Sequence, residues 1–119
     1  MAILKKDDIL NAQDLPFKDV EVPQWGGTVR IRALNSAERD AFEQSITQFR
    51  GNDVDFKMSN IRAKLVALTA VDENGNKLFT LADAEKLGKK SAVVMDKLFQ
   101  AAQELSGMRQ QDLDDAIKN

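Results

Sequence analysis

The sequence predicts an α+β fold, mostly α-helical: a small helical bundle carrying one N-terminal β-hairpin. Three observations lead there. Apolar residues recur at helical spacing across residues 36–49, 58–71 and 92–105, the pattern of helices with one buried face. Short runs alternate between apolar and polar residues on either side of Gly26-Gly27, which is how a hairpin reads. Finally, 119 residues, 43% of them apolar and 30% charged, make one domain spanning 1–119, enough to bury roughly two thirds of the surface of the unfolded chain. Order is least expected at its ends, 1–15 and 107–119.

Residues 5–12 are expected to form a short helix, with Ile3, Leu4, Ile9, Leu10 and Leu15 supplying one apolar side. In "KDVEVPQW", Val20 and Val22 point one way and Asp19 and Glu21 the other; in "TVRIRAL", Val29, Ile31 and Ala33 alternate with Thr28, Arg30 and Arg32. Gly26-Gly27 supplies the positive φ angles of a two-residue turn. Pairing outward from that turn sets Trp25 opposite Thr28, Val22 opposite Ile31 and Glu21 opposite Arg32, leaving one apolar face and an opposite-charge pair on the other. Pro23 cannot donate to a ladder, so the first strand is expected at a sheet edge.

"NSAERDAFEQSITQFR" follows. Asn35 or Ser36 caps a helix, and Glu38 stands three after Asn35 as in a capping box. Phe42, Ile46 and Phe49 make its stripe, Glu38, Arg39, Asp40 and Glu43 its polar side, and Gly51-Asn52 its stop. A second helix is expected in "DVDFKMSNIRAKLVALTAV", capped by an aspartate and striped by Met58, Ile61, Leu65 and Leu68. Its apolar run 65–71 makes it the most buried element; the alanines favour helix over a strand. "DENGNKLF" reads as a turn around Asn74-Gly75, with a small hairpin as its fuller form. Thr80 and Asp83 have capping-box spacing before a short helix ended by Gly88. "SAVVMDKLFQAAQELSG" is the clearest helix, with Val94, Leu98 and Leu105 on one side, Met95, Phe99 and Ala102 beside them, and Gly107 at its end. "RQQDLDDAIKN" carries only Leu113, Ala116 and Ile117 as a stripe.

Little chemistry is available to such a chain. It has no cysteine, histidine or tyrosine. That removes disulfides, zinc ribbons and thiol catalysis, together with the commonest general base and transition-metal ligand. Gly88 to Ser91 resembles the end of a phosphate loop, but the glycine required five positions earlier is Asp83. Aligning a calcium loop on Gly75 puts Ala70 first and Leu81 last, where acids are needed. The adjacent acids, Asp7/Asp8, Asp53/Asp55, Asp72/Glu73 and Asp114/Asp115, read as solvated caps and loop charges. The chain is therefore read as a non-enzyme without cofactor or metal. Its net charge of −2 and pI of about 5.1 argue for neither nucleic acid nor an anionic membrane as partner. Arg30 and Arg32 with Lys5, Lys6 and Lys18 make a basic strip diluted by Asp7, Asp8, Asp19 and Glu21. No apolar run approaches the roughly 20 residues of a spanning helix. "MAILKKDDIL" has its charges behind a short apolar segment, unlike a secretory signal, so a cytoplasmic location is expected.

Trp25, the only tryptophan, allows two readings. It folds over the helices as a lid on a small core, as large aromatics mostly do, or it stands out as a partner anchor, since tryptophan is enriched at binding hot spots. The neighbouring edge strand offers a second docking surface, by strand addition or helix capture.

The segment "VPQWGGTVRIRALNSAERDAF", valine-proline and an aromatic before a double glycine, then an alternating strand and a polar cap before a helix, resembles the tail assembly chaperones of lambda-like, long-tailed phages. The likeness in layout runs from about Val20 to about Leu105. It implies a protein that binds the tape measure protein, keeps that long helical protein soluble and helps recruit major tail tube protein around it. It further implies a place in the host cell cytoplasm and absence from the mature virion. Many members occur in two lengths through a backward ribosomal frameshift, and this chain would correspond to the shorter form. The family pattern supplies no binding residues. From expected exposure alone, Val22, Pro23 and Trp25, with Met108 and Leu113 near the tail, are the candidate partner-binding residues, and self-association through the hairpins is an alternative use of the same surface. The rival readings are a small structural tail-completion or tail-tube protein of the virion and, further off, a small enzyme or nucleic-acid regulator.

Overall fold

The computed structural model describes residues 2–50, 53–56 and 60–108. Its architecture is α+β and mostly helical. A three-stranded antiparallel sheet of order β1-β2-β5 lies beside the helices, and a separate two-stranded hairpin follows the second helix. The strands are β1 (Phe17–Val22), β2 (Gly27–Arg32), β3 (Thr47–Arg50), β4 (Asp53–Phe56) and β5 (Ala70–Val71). The helices are α1 (Lys6–Leu10), α2 (Ser36–Ser45), α3 (Ile61–Thr69), α4 (Ala84–Leu87) and α5 (Ala92–Leu105).

The first hairpin forms where expected, but with a different turn. Val22 stands opposite Gly27, not Ile31, and Asp19 stands opposite Arg30. Pro23–Trp25 form one turn of 3-10 helix, closed by the Gly26 N–H on the Pro23 carbonyl at 3.0 Å. Proline's fixed φ suits the first position of a helical turn, and Gly26, at φ 75°, supplies the left-handed residue that ends it. Gly27 needs no positive φ. The resulting slip is four residues, an even number, so the same side chains still face the core. Val20, Val22 and Ile31 are all buried there. The charge pairs change partners: Arg30 holds Asp19 with two bonds, at 2.7 and 3.1 Å, and stacks 4.2 Å from the Phe17 ring. β1 is an edge strand, as expected, although Pro23 lies in the turn beyond it.

The Asn35 capping box starts α2 as read from sequence. The Glu38 N–H donates to Asn35 Oδ1 at 2.8 Å, and the Asn35 N–H donates back to Glu38 Oε1 at 2.9 Å. Phe42 and Ile46 bury the expected stripe. The helix ends at Ser45 rather than at Gly51, and the second expected helix begins only at Ile61, because residues 47–50 and 53–56 form β3 and β4 instead. Met58 lies outside the described residues. α3 is the most enclosed helix, buried at seven of its nine positions. It packs against α5, α4 and α2, and its Thr69 hydroxyl donates to the Leu65 carbonyl at 2.8 Å. The chain leaves α3 directly into β5, which pairs Ala70 with Ile31 and Val71 with Arg30. Beyond it the Asn74-Gly75 turn returns as a small hairpin bridging Val71 and Lys77.

α5 lays Val94, Met95, Leu98, Phe99 and Ala102 into the core, with Ser91 as its cap. Gly107, at φ 68°, ends it. There the Met108 N–H reaches the Gln103 carbonyl at 2.8 Å and the Gly107 N–H the Glu104 carbonyl at 3.3 Å, a Schellman arrangement that folds the following side chain back onto the helix. Gly88 has an ordinary helical φ of −63°. What it supplies is room: a Cβ there would stand 2.6 Å from Asn60 Oδ1.

A candidate docking surface at the hairpin tip

Two of the residues expected to dock a partner are inside the protein. Val22 is 1% exposed, because strand alternation sets it beside Val20 on the inner face of β1. Met108 is 5% exposed, because the Schellman turn returns it to the core. Leu113 lies outside the described residues. Pro23 and Trp25 are at the surface, with Trp25 42% exposed although its ring is among the largest apolar groups in the chain.

Trp25 does not stand alone. It lines a groove of about 530 Å3 together with Leu78, Phe79 and Leu87, rimmed by Lys86, Lys90 and Asp83. Three remote segments build it: the hairpin tip, the strand-like return after the Asn74-Gly75 turn, and α4 with the turn after it. Leu78 is 51% exposed, and its N–H is engaged by the Ala70 carbonyl at 3.2 Å. Sequence reasoning missed Leu78, Phe79 and the lysines. The available signal was a pair of large apolar residues in a turn that belongs to no helical stripe.

An ion network beside β2 braces the Lys77 return that leads into this groove. The Arg32 guanidinium meets both Glu38 oxygens, at 2.6 and 2.8 Å, and Lys77 pairs with the same carboxylate. Glu38, expected on the polar side of α2, is in fact buried. Burial by itself would raise its pKa, but the Asn35 N–H, then Lys77 and Arg32, outweigh that and hold the carboxyl below its ordinary value. The Lys77 ammonium also reaches the Leu68 carbonyl at 3.2 Å, tying the return to the end of α3.

The free edge of β1 is partly closed. The Lys97 ammonium of α5 donates to the Glu21 carbonyl at 2.6 Å, a charged side chain guarding a strand edge. The groove beside it is lined by Lys18, Asp19, Glu21, Lys97 and Glu104 and offers little apolar surface. At the other end of β1 the arm that precedes it is exposed over residues 2–14, with Ile3 95% exposed and Leu4, Ile9 and Leu10 also out in solvent. Among the described residues no helix is long and apolar enough to cross a membrane, and no cluster of His, Cys, Asp or Glu could hold a metal.

The family model described as phage tail assembly chaperone matches residues 6–119. Among solved structures, that of the bacteriophage HK97 tail assembly chaperone aligns with a TM-score of 0.57 at 19% sequence identity, covering 76% of this chain and 85% of that one. At that identity the likeness is one of fold. No curated protein sequence matches.

Proposed function

The chain belongs to the phage tail assembly chaperone family, and from that premise we propose that it binds the tape measure protein, keeps it soluble and helps recruit major tail tube protein around it. The observation that carries this reading is the Trp25 groove. A partly exposed tryptophan beside exposed Leu78 and half-buried Phe79 is a concentrated apolar surface set in a groove, the kind of patch that marks a protein partner. A long helical protein offers matching apolar stripes until the tube covers it. The work is reversible contact in the host cytoplasm before the virion is complete, without a cofactor.

Co-expression tests it. The tape measure protein of the same phage is expected in the pellet when made alone and in the supernatant with this chain, and the two should purify together through a tag on either. A tape measure protein equally insoluble with and without the chain overturns the reading.

The N-terminal arm favours a second contact, between copies of the chain. Residues 2–12 bury none of their side chains, and a five-residue helix with no packed face is not expected to persist alone in water. Many copies lining one tape measure protein would bring arms and neighbouring surfaces together.

A further inference from the structure

The groove's walls and rim say what kind of segment it takes. Most backbone donors along it are already used: the Gly26 N–H by Pro23, the Leu78 N–H by Ala70, and the Thr80 N–H by the Asp83 carboxylate at 2.9 Å. Among the described lining residues the Phe79 N–H is left open, one donor rather than the row an added strand needs, so the occupant has to satisfy its own backbone, as a helix does. At about 530 Å3 the groove has room for a few large side chains rather than for a whole helix, which fits anchors spaced along one helical face. Its rim is net positive, two lysines against one aspartate. Asp83 spends its carboxylate on the Thr80 N–H and hydroxyl, whereas Lys86 and Lys90 are exposed and have no partner among the described residues. Lys89 adds a third exposed ammonium next to them.

We propose that this groove binds an amphipathic helix whose apolar stripe is flanked by acidic residues, with Trp25 and Leu78 packing on the stripe and Lys86 and Lys90 pairing with the acids. It rests on the reading that the partner is the helical tape measure protein and names the class of segment recognised on it. Trp25 is the chain's only tryptophan, so its own emission reports occupancy.

The test uses the full chain and two synthetic helical peptides of about 18 residues with the same leucine stripe, one flanked by glutamates and one by lysines. The glutamate peptide is expected to shift Trp25 emission to the blue and to bind at least about tenfold more tightly than the lysine peptide at low salt. That advantage should shrink as salt is raised from about 0.05 to 0.5 M, and the variant carrying Lys86→Glu and Lys90→Glu should reverse the preference. Equal affinity for both peptides, preference for the lysine peptide, or no change in emission with either overturns the inference. A parallel pull-down of the tape measure protein separates the two levels. Capture by the wild type and equally by the charge-reversed variant sinks the groove assignment and leaves the chaperone reading standing. No capture by the wild type removes the reading itself.

Discussion

Trp25 and Glu38 show how two residues of this chain divide the work between surface and interior. Trp25 keeps 42% of its surface in water, so Trp25→Ala removes only part of a core-sized contact. A cooperative melt should survive with about 1–2 kcal/mol lost, below the 3–5 of a fully buried tryptophan, while tape measure capture falls at least about tenfold, as for a hot-spot residue. Calorimetry and the pull-down on one preparation check both halves; loss of the cooperative transition would instead make Trp25 a lid. Glu38 is the opposite case. Its carboxyl is held below the ordinary 4.5 by the Asn35 N–H, Lys77 and Arg32, against burial. A lowered folded pKa means that the carboxylate stabilises the fold fully above 4.5 and ceases to as pH falls through the lower folded value. Glu38→Gln should therefore cost about 2 kcal/mol near neutral pH and nearly nothing in acid. Urea unfolding across that range checks it, and a gap between the two proteins that stays constant with pH would assign the loss to packing instead.

At the scale of elements, local chemistry was legible and assembly was not. The Asn35 and Thr80 capping boxes and the Gly107 stop each depend on neighbours within a few residues, and each formed as read. The β3-β4 hairpin did not, because Phe42, Ile46 and Phe49 mimic a helical stripe and Gly51-Asn52 read as a helix stop. The same dipeptide joins runs pairing Arg50 with Asp53 and Phe49 with Val54, which is also hairpin spacing. β5 was unreadable, since two residues become a strand only when β2 lies alongside them. The docking groove fails to show in the sequence for a related reason: positions 25, 78, 79 and 87 share no period and meet only in the fold. Of the residues that line the groove only Trp25 was among the expected docking residues, and the alternation of β1 should have kept Val22 out of them. α1 invites a prediction of its own. Its Lys5 N–H bond to Asp8, at 3.0 Å, is exposed and local, and the arm contributes nothing to the core. Deleting residues 2–12 should move stability by no more than about 0.5 kcal/mol while lowering the oligomer mass seen by light scattering. A large drop in melting temperature would show that the arm is packed in solution.

For the whole molecule, the question is how a chaperone holds a partner that it must later release. The core is closed around α3, and among the described residues most of the large apolar side chains left outside lie either in the groove near one end of β1 or in the arm before the other. A groove this small buries far less than a standard stable interface, so one chain on one stripe should bind only in about the micromolar range. Tight holding then has to come from number: several copies on successive stripes of one long helix multiply weak contacts through effective concentration. On the proposed reading release would follow from the same arithmetic, with tube subunits advancing along the tape measure displacing one weakly held copy at a time. A peptide with two stripes joined by a flexible linker should accordingly bind an arm-linked pair of chains far more tightly than it binds the arm-deleted chain, with the single-stripe affinity unchanged between them. The same scheme predicts the composition of the finished particle. Quantitative mass spectrometry of purified virions should find tube and tape measure proteins but no stoichiometric amount of this chain, if, as proposed, every copy is displaced as the tube closes. A constant number of copies per virion would mean that the contacts are permanent, and would establish the structural tail-component reading in place of the chaperone one.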